Sequence, residues 1–179
     1  CGVASKAQQV LDELSVRNVV SWNALISGYA HQGKGYEALD CFERMLSEGL
    51  SPNVITFICI LKACSSTNNI RKGEQIHEDI RSRGLLEKNI VLSTALVDMY
   101  VKCGMIRIAQ DVLKELPIRD TVSWNALIAG YAKYGLYHEA LKCFEQMQSE
   151  GLSPNGVTFI CMLKACGSIG AIEKGKQIH

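Results

Sequence analysis

The chain repeats itself at a fixed offset, and this limits its fold more than any other feature. Val20-Ser21-Trp22-Asn23-Ala24-Leu25-Ile26 returns as Val122-Ser123-Trp124-Asn125-Ala126-Leu127-Ile128, 102 residues later. Aligning 1–77 with 103–179 gives 49 identities in 77 positions. A unit that recurs this way buries its apolar surface mainly against copies of itself, so a linear array is expected. The unit divides further, into 19–53, 54–89 and 90–120, of 35, 36 and 31 residues. Segment 121–155 opens the next cycle, 156–179 copies 54–77, and 1–18 copies 103–120. The array is therefore expected to be cut at both ends.

Each segment holds two helical patterns. In the first, Ser21 is expected to cap a helix from Trp22 to His31, with Leu25, Ile26 and Tyr29 on its apolar face. Gly33 breaks it. A second helix is predicted from Tyr36 to Ser47, with Ala38, Leu39, Phe42 and Met45 as its stripe and Glu37 in the first turn, where the helix dipole favours it. Gly49 and Pro52 end it. Thr56 and Ser93 are expected near the starts of the following segments. No stretch alternates with period two, so strands are not expected. The fold class is all-α: a solenoid of stacked helix-turn-helix repeats in a single array over 1–179.

Composition narrows the function. The 179 residues are 47% hydrophobic and 21% charged, an ordinary globular balance. Nineteen Lys and Arg face 18 Asp and Glu. That excludes a strongly basic nucleic-acid binder but leaves room for a local basic stripe. No apolar run is long enough to cross a membrane, so no membrane partner is expected. No basic start followed by an apolar stretch marks a signal peptide. The eight cysteines form four pairs in register: Cys1/Cys103, Cys41/Cys143, Cys59/Cys161 and Cys64/Cys166. No C-x-x-C occurs, so zinc is not expected, and residues locked to the repeat read as reduced packing thiols. No metal, no cofactor and no enzymatic activity are expected. The zinc-deaminase pattern, H-x-E with P-C-x-x-C, is absent.

A period near 35 also suggests tetratricopeptide repeats. Their W-x-x-L-G-x-x-Y pattern and strict 34-residue period do not fit Trp22 to Tyr29, where the glycine, Gly28, falls two places late. The 35/36/31 alternation instead resembles the plant pentatricopeptide repeat (PPR) family, P-L-S subclass. VSWNALISGYAHQGKGYEALDCFERMLSEGLSPN (20–53) resembles a P repeat. VITFICILKACSSTNNIRKGEQIH (54–77) resembles the opening of an L repeat, and TALVDMYVKCGMIRIAQDVLKELPIRD (94–120) an S repeat. On this resemblance the array reads half S (1–18), P (19–53), L (54–89), S (90–120), P (121–155) and partial L (156–179).

The resemblance implies a right-handed superhelix that binds single-stranded RNA, about one base per repeat. The fifth and last residues of a repeat choose the base and the second packs against it. Carried over, Asn23 with Asn53 and Asn125 with Asn155 are expected to read a pyrimidine, cytosine before uracil. Thr94 with Asp120 is expected to read guanine. Val20, Val91 and Val122 are the packing residues. The L repeat has Ile58 and Asn89, with Ile55 at its second place. Ile58 cannot hydrogen-bond a base edge, and Ile160 repeats that departure, so the L base is expected to go unread. Asn18 ends the half S repeat without a fifth-residue partner. The expected preference is 5′-C/U-N-G-C/U-3′. The thirteenth places hold His31, Ser66, Lys102 and Lys133; His31, Lys102 and Lys133 are expected to face phosphate. With about 2 phosphates neutralised, the log–log salt slope would be around −1.4.

P-L-S proteins resemble specificity factors for organelle C-to-U RNA editing. The resemblance thus places the parent protein in chloroplast or mitochondrion and offers L repeats as docking sites for a small editing-factor protein. A protein-binding helical scaffold is the alternative, and self-association through exposed repeat ends is a further expectation. Trp22 and Trp124 read as core rather than as stacking platforms, since they share helical spacing with Leu25/Ile26 and Leu127/Ile128. His77 and His179 recur with the repeat and read as structural, whereas His138 aligns with Tyr36 and is no repeated ligand. Asn23 and Asn125 have a competing reading as helix-start residues. Lys72 and Lys174 read as solvating charges.

Overall fold

The computed structural model describes residues 2–168. Cys1, Lys174, His179 and the side chain of Cys166 lie outside them. Ten α-helices and no strand occur among the described residues, and the chain divides into two compact units after Leu86.

The first unit holds α1 (Gly2–Glu13), α2 (Val19–His31), α3 (Gly35–Ser47), α4 (Val54–Thr67) and α5 (Ile70–Ser82). The hairpins α2–α3 and α4–α5 stack so that α2 touches α3 and α4, and α3 touches α4. The second unit holds α6 (Ile90–Lys102), α7 (Ile106–Glu115), α8 (Thr121–Lys133), α9 (Tyr137–Ser149) and α10 (Gly156–Ser168). There α8 packs on α6, α7, α9 and α10. Each unit is therefore a short α-solenoid of helical hairpins.

Sequence explains the two helix types. In α4, Phe57, Cys59, Ile60, Leu61, Ala63 and Cys64 are all buried, so apolar residues wrap most of the helix. Such a helix needs cover on several sides, which α2, α3 and α5 supply. In α5 only Gly73, Ile76 and Ile80 are buried, a single stripe that serves an outer layer. The 31-residue segment is short because α7 has 10 residues where α3 and α9 have 13, and its exit link loses one more.

Helix starts differ from the sequence expectation. Ser21 does not cap α2; Asn18 does, its side chain accepting from the Val20 and Ser21 N–H groups. Ser21 sits at the third helical place and returns a bond to the cap. The same arrangement puts Asn53 before α4 and Asp120 before α8, and Asn89 caps α6 by accepting from Leu92 N–H. An Asx residue standing just outside the helix aims its side-chain oxygen back at the orphan N–H groups of the first turn, whereas Ser21 already lies inside that turn. The last residue of each segment is thus the cap of the next first helix.

Two glycines are required by geometry. Gly33 turns the α2–α3 hairpin at φ 73°, a left-handed conformation costly for a side chain. Gly130 lets α8 approach α6: an added Cβ would lie 2.6 Å from Val101 Cγ1. Asn68 takes the left-handed place between α4 and α5.

Trp22 and Trp124 are core residues. Each indole N–H donates to a carboxylate at the end of the hairpin's second helix, Glu48 at 2.8 Å and Glu150 at 3.0 Å. Arg17 and Arg119 close the networks by pairing with the same carboxylates. Buried indole nitrogens usually find such a partner.

Candidate nucleic-acid interface

The caps bring the expected reading residues together. Asn53 stands one residue before α4, and its Oδ1 must accept from Thr56 N–H at 3.1 Å, because a backbone N–H can only donate. That fixes the Asn53 amide. Asn23, the fifth residue of α2, then offers Nδ2 to Asn53 Oδ1 at 3.0 Å. Asn23 Oδ1 consequently points at Thr56, whose hydroxyl donates to it at 2.7 Å. Asn23 and Thr56 are buried; Asn53 is exposed.

The second unit repeats this arrangement. Asn155 Oδ1 accepts from the Val157 and Thr158 N–H groups and from Asn125 Nδ2 at 3.0 Å. Thr158 donates to Asn125 Oδ1 at 2.6 Å. Every acceptor in each set is occupied, and what remains for a ligand is N–H: one on Asn23 or Asn125 and two on Asn53 or Asn155. The helix-start reading of Asn23 and Asn125 fails on geometry, since the caps are Asn18, Asn53 and Asp120.

The pair Thr94 and Asp120 is built differently. Asp120 Oδ1 accepts from Ser123 N–H at 2.7 Å, which leaves Oδ2 as an acceptor. Ser123 donates its hydroxyl to the Asp120 carbonyl rather than across to Thr94. Thr94 Oγ1 is buried with no hydrogen-bond partner.

The packing residues stand free beside these pairs. Val20 is 75% exposed, Val91 60% and Val122 59%. Ile55 and Val157, at the same place in their helices, are exposed as well. An apolar side chain left in water at the same register of five helices is a repeated surface feature rather than a core residue. Ile58 is half-buried and Ile160 exposed.

The expected phosphate residues are exposed, but all three are already engaged. Lys102 pairs with Asp98 at 2.7 Å, and the Lys133 ammonium lies 5.4 Å from the centre of the Tyr134 ring. His31 Nδ1 lies 2.8 Å from the Ser27 carbonyl. Sequence reasoning missed Thr56 and Thr158. Their signal was present: both fall in the Thr-Phe-Ile-Cys run that survives at offset 102. Lys62 was also missed. It is exposed on α4 with no carboxylate three or four residues away along the helix.

Other chemistry is thin. No cluster of three or more potential metal ligands occurs among the described residues. Burial pushes the Cys41 thiol up to about 11 and the Cys143 thiol up to about 12, so both are protonated at neutral pH and poor nucleophiles. Among the described residues, no helix is long and apolar enough to cross a membrane.

Comparison with known proteins agrees with this architecture. The model of the PPR repeat family matches residues 17–66 and 119–168, and the PPR repeat model matches 55–85 and 91–120. Among curated proteins of Arabidopsis thaliana, the chloroplastic pentatricopeptide repeat-containing protein CRR2 is 41% identical over 179 residues, 99% of this chain and 27% of its own length. The mitochondrial pentatricopeptide repeat-containing protein At1g06140 is 38% identical over 98% of this chain and 31% of its own length. The chain thus spans about a third or less of these relatives. Among solved structures, PPR10 in complex with an 18-nt psaJ RNA element superposes with a TM-score of 0.81 at 21% identity, over 99% of this chain and 27% of that one. The PPR domain of Arabidopsis thaliana protein-only RNase P 1, in complex with tRNA, gives 0.73 at 16% identity, over 89% and 86%.

Proposed function

The chain belongs to the PPR repeat family, and on that premise we propose that it binds single-stranded RNA through the first helices of its hairpins. The observation that carries this reading is the Asn–Asn pair, hydrogen-bonded alike in both units beside an exposed valine. A polar pair that satisfies its own acceptors and leaves only N–H groups suits an unpaired base edge rich in acceptors. Cytosine offers O2 and N3 side by side; uracil puts an N3–H against the donors. The geometry therefore supports cytosine before uracil at Asn23/Asn53 and at Asn125/Asn155. Asp120 Oδ2 and the Thr94 hydroxyl suit the opposite edge, that of guanine, whose N1–H and N2–H₂ donate and whose O6 accepts. The exposed valines supply an apolar surface for the base face, a weaker counterpart of aromatic stacking.

In chain order the preference is 5′-C/U-N-G-C/U-3′. The 35/36/31 alternation supports the P-L-S subclass, and with it a parent protein that acts as a specificity factor for C-to-U editing in an organelle. Chloroplastic and mitochondrial relatives support that location. No catalytic step is assigned to these residues. Ile58 and the exposed Ile160, where a base reader would stand, favour a second role for the L-type helices: docking of a small editing-factor protein.

Fluorescence anisotropy with labelled oligomers tests the reading. The expected result is tighter binding to RNA carrying CAGC than to oligomers in which its G and C are exchanged. Equal binding to all of them sinks the base assignments. Failure to bind any RNA while folded sinks the RNA reading and favours the protein scaffold.

A further inference from the structure

We infer that Thr56 and Thr158, which stand outside the Asn–Asn pairs, are positioning residues that set base preference by holding the reading amide in one orientation. The inference rests on the RNA reading above and deepens it. Each threonine is fully buried. Each belongs to the first helix of the following hairpin, two helices after the one whose asparagine it contacts, so the reading set of one hairpin is completed by the next. Thr56 Oγ1 has two bonds to make. It accepts from Asn53 N–H at 3.1 Å, and its single proton goes to the nearer of two acceptors, Asn23 Oδ1 at 2.7 Å rather than Asn53 Oδ1 at 3.1 Å. Thr158 does the same, accepting from Asn155 N–H at 3.0 Å and donating to Asn125 Oδ1 at 2.6 Å.

Without that hydroxyl, Asn23 Oδ1 would be a buried acceptor with no donor. A buried acceptor in that state has lost its water without gaining a partner. The asparagine would then be held only by its bond to Asn53 Oδ1, and χ2 would be free to turn Oδ1 toward the groove at the cost of that bond. The edge shown to the base would then carry an acceptor beside its donors, and the reason to prefer N3 of cytosine over N3–H of uracil would vanish. In α2 and α8 the third helical place is serine, and there the proton stays at home: Ser21 donates to the Asn18 carbonyl and Ser123 to the Asp120 carbonyl; in α6 that place is Leu92, which has no hydroxyl. The threonines alone send it across to the reader.

The test is Thr56→Val and Thr158→Val in the 179-residue chain, near-isosteric changes that delete only the hydroxyl. Binding is measured to RNA carrying C or U at each of the two pyrimidine positions, with urea unfolding of each variant alongside. In Thr56→Val the C:U ratio at the Asn23/Asn53 base is expected to fall about fivefold, the equivalent of one hydrogen bond of about 1 kcal/mol. The ratio at the Asn125/Asn155 base is expected to hold. Thr158→Val reverses the two. Each variant is the other's control, so the loss of one unit's fold leaves the second test standing. A variant that weakens all oligomers by one factor and keeps both ratios overturns the inference while leaving the RNA reading intact. A parent chain with no C:U ratio at either position overturns the base reading and this inference together.

Discussion

Two reading sets built on one backbone frame reach opposite polar states. Between α2 and α4, Asn23, Asn53 and Thr56 satisfy one another. Between α6 and α8, Asp120 and Ser123 close a cap, and Thr94 Oγ1 is left buried without a partner. The difference comes from three side chains, not from the fold. An amide brings both a donor and an acceptor and can bridge cap and helix. A threonine hydroxyl at the same place makes no bond to Asp120 and bridges nothing. In the proposed reading, the first set is pre-organised by its own hydrogen bonds, and the second keeps an unmade hydrogen bond that a base would supply.

The comparison breaks if the two sets respond alike to losing their polar atoms. Asn125→Leu strips Thr158 and Asn155 of a partner inside a buried network and should cost about 2 kcal/mol of stability. Thr94→Val removes an unsatisfied hydroxyl without changing shape and should be neutral or stabilising by about 1 kcal/mol. Urea unfolding with circular dichroism measures both. Opposite signs uphold the contrast. A destabilised Thr94→Val would mean that its hydroxyl has a partner in solution.

The comparison sharpens if one set can be turned into the other. Thr94→Asn with Asp120→Asn should move the preferred base from guanine to pyrimidine by about tenfold, near 1.4 kcal/mol. Its C:U ratio should nonetheless stay below that of the natural pairs, because Ser123 keeps its proton on the Asp120 backbone. Adding Ser123→Thr should raise the ratio. Anisotropy titrations against oligomers varied at that one base measure all three steps. Retained guanine preference in the double variant would sink the assignment of Thr94 and Asp120.

Much of this was legible in the sequence, and what was not has a physical reason. Periodicity gave a helical hairpin for each segment, because each apolar stripe, such as Ala38, Leu39, Phe42 and Met45, has to be buried. The offset of 102 marked Trp22 and Trp124 as equivalents, and helical spacing put them in the core, where the structure has them. The caps were misread. Ser21 and Asn18 both satisfy a capping preference, and only the path of the chain decides which lies outside the helix. Thr56 escaped notice because its partner Asn23 is 33 residues away on another helix. Propensity sees neighbours along the chain, whereas a hydroxyl chooses its acceptor in space. The state of Lys102 was hidden for the opposite reason. Asp98 lies one helical turn before it, a pairing the spacing allowed and the phosphate expectation passed over.

That pairing sets the smallest of the expected effects. Lys102 and Asp98 bond at 2.7 Å with both side chains substantially exposed. A lysine shared with a carboxylate brings little net charge to a phosphate, so under the proposed RNA reading the segment 90–120 would add less to binding than its residue type suggests. Asp98→Asn keeps the size of the side chain and frees the ammonium. The salt dependence of binding should then steepen by about 0.7 in the log–log slope, the contribution of one phosphate on a single strand. Affinity at low salt should rise about twofold, as fits an exposed ion pair. Base preference should not move, since Asp98 stands a turn from Thr94 and no bond joins them. An unchanged slope would mean that Lys102 does not face the RNA backbone, with or without its carboxylate. The unpaired Lys62 on α4 would then be the next cation to test.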